Sequence, residues 1–192
     1  IPLDDLNVVV FDIETTGFFP EQGNEIISIG AVKVKGCRLQ EEDIFYSLVR
    51  HEESLSDEIR ELTGISDKDL KDAPPLEEAL IQFYQFVKGD TLVAHHSSHE
   101  KSFMQHANWK LFRAPFKHRI VDTSFLSRIA EPNAEYVRLE DWCEHKEIPV
   151  ADRHHALGDA ILTAKLWCKY VDEVKGLGCR NLRDIYERIA IM

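Results

Sequence analysis

The sequence predicts an α/β fold: a mixed β-sheet, antiparallel in its first three strands and parallel afterwards, flanked by α-helices. Three observations carry this. The first third holds three apolar or alternating stretches joined by short turns, which favours antiparallel pairing. From Ser56 onward the apolar residues recur at helical spacing. Short apolar runs then alternate with helical stretches, the order that builds parallel strands with helices on the sheet faces.

Taken in order, Val8-Val9-Val10-Phe11 opens a buried strand, since β-branched and aromatic residues suit one. Glu25 to Lys35 is apolar and then alternating, Gly36 offers a turn, and Arg38 to Arg50 carries Ile44, Tyr46 and Leu48 as a third strand. Ser56-Asp57-Glu58 starts a short helix that stops at Gly64, and Ser66-Asp67-Lys68-Asp69 starts another in the manner of a capping box. Pro74-Pro75 precedes a longer helix, Leu76 to Val87, ended by Gly89. Its residues Leu76, Leu80, Phe83, Tyr84 and Val87 share one face. Thr91 to His95 is a fourth strand, Ser98 to Phe112 a helix, and Arg119 to Asp122 a fifth strand. Helices follow over Thr123–Ala130, Arg138–Lys146, His155–Val171 and Asn181–Ala190.

A chain of 192 residues, 44% hydrophobic and 30% charged, suits one globular domain spanning 1–192. Its start at Ile1 leaves open that this domain belongs to a longer protein. No apolar run is long enough for a membrane span and no signal-peptide pattern is present, so no membrane partner is expected. The four cysteines lack the paired short spacing of a zinc knuckle and fit reduced thiols in the cytoplasm. A net charge of −11 argues against a protein that tracks long duplex nucleic acid by charge alone. If nucleic acid is the partner, short or single-stranded ends are favoured.

Chemistry concentrates first in Asp12 and Glu14. A strand's side chains alternate, so both carboxylates leave one face at the end of an apolar strand. Two such acids repel each other at neutral pH unless a divalent cation sits between them. Solvated strand-end acids are the plainer reading, and metal binding is preferred to it. Two later segments offer more ligands. In His95-His96-Ser97-Ser98-His99-Glu100, the glutamate projects from the first turn of a helix. Ser97 and Glu100 also have the spacing of a capping box, and the two roles weigh about equally. A zinc site from His95, His96 and His99 is disfavoured because adjacent strand residues point to opposite faces. In Arg153-His154-His155-Ala156-Leu157-Gly158-Asp159-Ala160, small residues allow close helix packing, and Asp159 in an apolar setting needs a partner or a metal. Spacing alone leaves open which of His154 and His155 faces a site.

Together these segments resemble the DEDDh exonucleases, the family of the bacterial replicative polymerase's proofreading subunit and oligoribonuclease. The resemblance runs from about Leu6 to Tyr170 and rests on Phe11-Asp12-Ile13-Glu14-Thr15-Thr16-Gly17, on Leu62-Thr63-Gly64-Ile65, and on His154 followed by Asp159. One motif departs: the family's His-Asn-x-x-Phe-Asp is here His95-His96-Ser97-Ser98-His99-Glu100, so glutamate stands in the aspartate's place and His99 in an aromatic's. Glutamate keeps the oxygen donors that Mg²⁺ or Mn²⁺ prefers, so the change bears on metal preference and rate.

The resemblance implies a ribonuclease-H-like fold and 3′–5′ hydrolysis of phosphodiester bonds at single-stranded or frayed DNA or RNA ends, with nucleoside monophosphates released. It implies two divalent cations, Mg²⁺ or Mn²⁺, held by Asp12, Glu14, Glu100 and Asp159, with Asp12 bridging them and His154 as general base. Thr15, Thr16, Gly17, Leu62, Thr63 and His99 are then expected near the terminal nucleotide, and a polymerase or fused domain is an expected partner. Asp122 is expected to cap the following helix rather than bind metal. The competing reading is a degenerate module that binds nucleic-acid ends or a protein without cutting.

Overall fold

The computed structural model describes residues 1–192. Five strands form one sheet: β1 (Asn7–Thr15), β2 (Ile26–Lys35), β3 (Arg38–Leu48), β4 (Thr91–Ala94) and β5 (Ile120–Asp122), in the order β3-β2-β1-β4-β5. The pairs β1–β2 and β2–β3 are antiparallel, whereas β1–β4 and β4–β5 are parallel. The expected mixed sheet is therefore present, with β1 at its centre. On β3 the ladder shifts: Gln40 pairs with Lys33 and Ile44 with Val32, so the exposed run Glu41-Glu42-Asp43 is left out of register at the sheet's outer edge.

Alternation along β1 divides the core into two layers. Val8 and Val10 face a cluster containing Leu126, Trp142, Leu162, Leu166, Trp167 and Tyr170. Val9, Phe11 and Ile13 face the other side, packing with Leu80, Phe83, Val87, Phe103 and Met104. Each fully buried side chain of this size contributes about 1.5–3 kcal/mol. That surplus is what lets the fold hold several carboxylates away from water. Because Asp12 and Glu14 continue the Val8–Val10 series, they emerge on the first of these faces.

The helices are α1 (Asp57–Thr63), α2 (Asp67–Lys71), α3 (Leu76–Val87), α4 (Ser98–Phe112), α5 (Thr123–Ala130), α6 (Leu139–His145), α7 (Ala156–Gly176) and α8 (Leu182–Ala190). α2 has the reciprocal Ser66–Asp69 capping box. α3 spans Leu76–Val87 as expected, but the residue that closes it is Lys88, at a φ of 54°, rather than Gly89. Two further expectations need correction. α7 runs five residues past Val171, because Val174 remains buried against the core and draws the polar turn around it into the helix. Ser97 does not cap α4: its backbone is already helical and its side chain bonds elsewhere. No helix is long and apolar enough to cross a membrane.

Candidate active site

Asp12, Glu14 and Asp159 converge where β1 ends, with their carboxylate oxygens within 4.8 Å of one another. Asp159 reaches them because the first turn of α7 lies directly on the sheet. Gly30 pairs with Asp12 across β1–β2, and a Cβ at Gly30 would collide with the backbone at Ala156 and Leu157. A glycine inside an apolar strand marks such a close backbone approach. Gly158 plays the matching part on the helix, since a Cβ there would meet the Asp152 carbonyl.

Glu100, only 2% exposed, lies beside Asp12, close enough for each carboxyl to shift the other's ionisation. Its Oε2 is buried without a partner. The capping alternative for Glu100 therefore falls away. In its place, Asp122 fixes the loop ahead of α4. Its carboxylate accepts from the backbone N–H of His96 (3.0 Å) and of Ser97 (2.9 Å), and from the Ser97 hydroxyl (3.2 Å). It also caps α5 by accepting from the Ser124 N–H (2.8 Å) and hydroxyl (2.7 Å). The expected cap is thus also the anchor that orients Glu100.

Burial raises every carboxyl in the cluster, and neighbouring acids add to it for Asp12, Glu14 and Glu100. Burial, with Asp159 close by, pushes Asp12 up to about 8. Burial first, then Asp12 and Asp159, pushes Glu14 up to about 9. Burial and the neighbouring Asp12 hold Glu100 well above the usual carboxylate range, and burial raises Asp159 against the pull of Arg153. Groups so disposed gain from a hard cation, and all the donors are oxygens. The orphaned Glu100 Oε2 supplies a further donor in the same place. The residues fit divalent ions.

The two histidines separate by geometry. His155 is the N-cap of α7, its Nδ1 accepting from the Gly158 N–H (3.3 Å), and its ring stacks on Tyr46 with centroids 4.6 Å apart. His154, held at φ 64°, bonds through its backbone N–H to Asp159 (3.2 and 3.3 Å). Its imidazole is not used in the cap.

The remaining expected residues are divided. The Thr15 hydroxyl donates to the Gly17 carbonyl (2.6 Å) and lies 3.4 Å from His99 Nε2. His99 packs edge-on to Phe18 and Phe103, and burial lowers its pKa. Thr16 is committed to Glu25, its N–H donating to the Glu25 carbonyl and its hydroxyl accepting from the Glu25 N–H (both 2.9 Å). Gly17 is packed by the Asn24 side chain. On α1 the Thr63 hydroxyl is spent on the Ile59 carbonyl (2.7 Å), while Leu62 is exposed. His95 bonds Thr123 (2.8 Å) and His96 the Val137 carbonyl (2.7 Å), so they are tied to different partners rather than to a shared zinc site.

Sequence reasoning missed Gly30, the reach of Asp122, and Arg153. The guanidinium of Arg153 lies 2.6 Å from Asp159 Oδ1 and 2.9 Å from Glu140 Oε2. Its one sequence signal is its place beside His154 in the segment that ends in Asp159.

A mixed sheet carrying acids at the end of its central strand is a ribonuclease-H-like architecture, and solved structures bear this out. The nuclease domain of 3′hExo, a DEDDh family member bound to rAMP, superimposes with a TM-score of 0.73 at 22% identity, covering 87% of this chain and 92% of that one. Exonuclease X in complex with 5′ overhanging duplex DNA gives 0.73 at 20% identity, covering 95% and 99%. In sequence, the chain is 36% identical over 177 residues to the PolC-type DNA polymerase III of Caldanaerobacter subterraneus subsp. tengcongensis, covering 92% of this chain and 12% of that protein. It is 33% identical over 180 residues to a DNA polymerase III subunit epsilon-like protein of Rhodobacter capsulatus, covering 92% and 25%. Residues 9–167 match the RNase T family model, described as exonuclease. The chain belongs to this exonuclease family. It spans about an eighth of the length of the PolC-type relatives and a quarter of the epsilon-like one.

Proposed function

We propose that residues 1–192 form a single metal-dependent 3′–5′ exonuclease domain that hydrolyses the terminal phosphodiester of DNA or RNA and releases nucleoside monophosphates. The observation that carries this reading is the cluster of Asp12, Glu14 and Asp159 oxygens within 4.8 Å, completed by Glu100 against Asp12. Two Mg²⁺ or Mn²⁺ ions held by these four carboxylates would make a water more acidic and stabilise charge on the phosphoryl oxygens.

The chain's own residues do the rest. Asp12, beside each of the other three acids, would serve both ions. His154, free of the helix cap, takes the proton of the attacking water on a ring nitrogen as the bond from phosphorus to the leaving 3′ oxygen breaks. Thr15 and His99 lie together beside the exposed Phe18, where a terminal nucleotide would meet both a polar and an aromatic surface. The net charge of −11 favours frayed or single-stranded ends over long duplex. The DNA-bound and rAMP-bound structural neighbours support a nucleic-acid 3′ end as substrate, and the polymerase relatives support a polymerase or a fused domain as partner.

The binding-only reading loses ground because Glu100 is buried beside Asp12 and His154 has no cap to make. Labelled single-stranded DNA and RNA oligonucleotides, incubated with Mg²⁺, Mn²⁺ or EDTA, test the proposal. Stepwise shortening from the 3′ end with either ion, stopped by EDTA, is expected. Binding without shortening under every condition overturns it.

A further inference from the structure

Arg153 places a fixed positive charge inside a cluster built to receive cations. Its Nη1 is 2.6 Å from Asp159 Oδ1, while its Nε is 2.9 Å from Glu140 Oε2 on α6. Its charge reaches Asp12 and Glu14 as well as Asp159. A metal ion on Asp159 would share its carboxylate with this guanidinium, and like charges at such a separation repel strongly where water is scarce. Glu140 offers a second carboxylate to which Arg153 stays attached if it leaves Asp159. Arg138 Nη1, 3.4 Å from Glu140 Oε1, keeps that acid in place.

We propose that Arg153 is the stand-in cation of the metal-free site, neutralising Asp159 until a divalent ion displaces it onto Glu140, and so setting how tightly the site holds its metal. Arg153 acts through Asp159 and is a positioning residue rather than a catalytic one. The inference rests on the reading of the four carboxylates as metal ligands. It gives the Glu140–Arg153–Asp159 chain two end states, with the guanidinium shared between the acids or held by Glu140 alone. The arrangement keeps the apo cluster from being an uncompensated group of acids, at the cost of weaker metal binding.

The two ends of the chain have opposite effects, which separates competition from simple structural support. Mn²⁺ is titrated into metal-stripped protein without nucleic acid, and free Mn²⁺ is followed by electron paramagnetic resonance. Arg153→Gln is expected to lower the Mn²⁺ Kd by about tenfold, since a repelling charge and a competitor are both removed. Glu140→Gln is expected to raise it several-fold, because Arg153 then has Asp159 as its only acid. Arg153→Lys retains the charge and should stay within about threefold of wild type. Unchanged or weaker binding by Arg153→Gln overturns the proposal, as does a shift of both variants in the same direction. If Arg153→Gln does not fold, Glu140→Gln decides alone: unchanged or tighter binding overturns it. Wild-type protein that binds no Mn²⁺ removes the metal reading itself. Wild type that binds Mn²⁺ beside an unresponsive Arg153→Gln removes only the role of Arg153.

Discussion

Gly30 faces the backbone of Leu157 so closely that no side chain fits between β2 and the first turn of α7. Gly30→Ala must lift that turn, and Asp159 with it. Overpacking of this kind costs about 1–3 kcal/mol. A displacement near 1 Å at a reacting centre costs about 10²-fold in rate. Thermal unfolding and oligonucleotide hydrolysis should show both losses. A variant with wild-type rate would mean that Asp159 does not depend on this contact.

His154 and His155 differ in what they hold. His154→Ala should reduce hydrolysis by about 10²–10⁴-fold with Mn²⁺ binding intact, as loss of a general base does. His155→Ala should cost about 1 kcal/mol of stability through the lost N-cap of α7, with a smaller effect on rate. Rates of the two variants at saturating metal decide the assignment, and the reverse pattern would make His155 the base.

Glu100 is tested by shortening it. Glu100→Asp should keep activity while changing the ratio of Mn²⁺- to Mg²⁺-supported rates, because its carboxylate then stands one methylene further back from Asp12. A stability change without any change in metal dependence would place Glu100 outside the ligand set.

The metal-free protein should lose stability as pH rises. Asp12 and Glu14 have folded-state values of about 8 and about 9, above the ordinary 3.8 and 4.5. Below the ordinary values both folded and unfolded chains hold these protons. Between the two ranges the unfolded chain has released protons that the folded chain keeps, so stability falls with pH until the folded groups ionise. In EDTA, Tm should decline from about pH 5 to about pH 9. Saturating Mg²⁺ should raise Tm most at the upper end, and Asp12→Asn should flatten the decline. Calorimetry that finds Tm flat or rising in EDTA contradicts the protonated cluster.

Much of this was legible in the chain because it is written locally. Leu76–Val87 declares itself by apolar spacing behind Pro75, and the Ser66–Asp69 box by two residues three apart. The same spacing misleads at Ser97 and Glu100, where tertiary partners outbid the local cap: Asp122 takes Ser97 and Asp12 takes Glu100. The acids of the site could be read from motifs, but what holds them could not. Gly30 beneath Leu157, Asp122 beside Ser97 and Arg153 on Glu140 are contacts between distant segments, and a periodicity records only neighbours. The commitment of Thr16 to Glu25 belongs to the same class, since it exists only once β1 and β2 have paired.

The shifted ladder on β3 has a consequence for how these molecules meet one another. An outermost strand offers unpaired N–H and C=O groups that can template a strand from a second chain, and flat apolar edges do so most readily. Here Glu41, Glu42 and Asp43 stand out of register on that edge, all exposed. An incoming strand would meet three consecutive negative charges and an interrupted row of hydrogen-bonding groups. Pairing with a second chain is disfavoured along this stretch of β3, while the in-register run Ile44–Leu48 and the opposite edge at β5 lie outside its reach. The charged bulge guards one stretch of one border of the sheet.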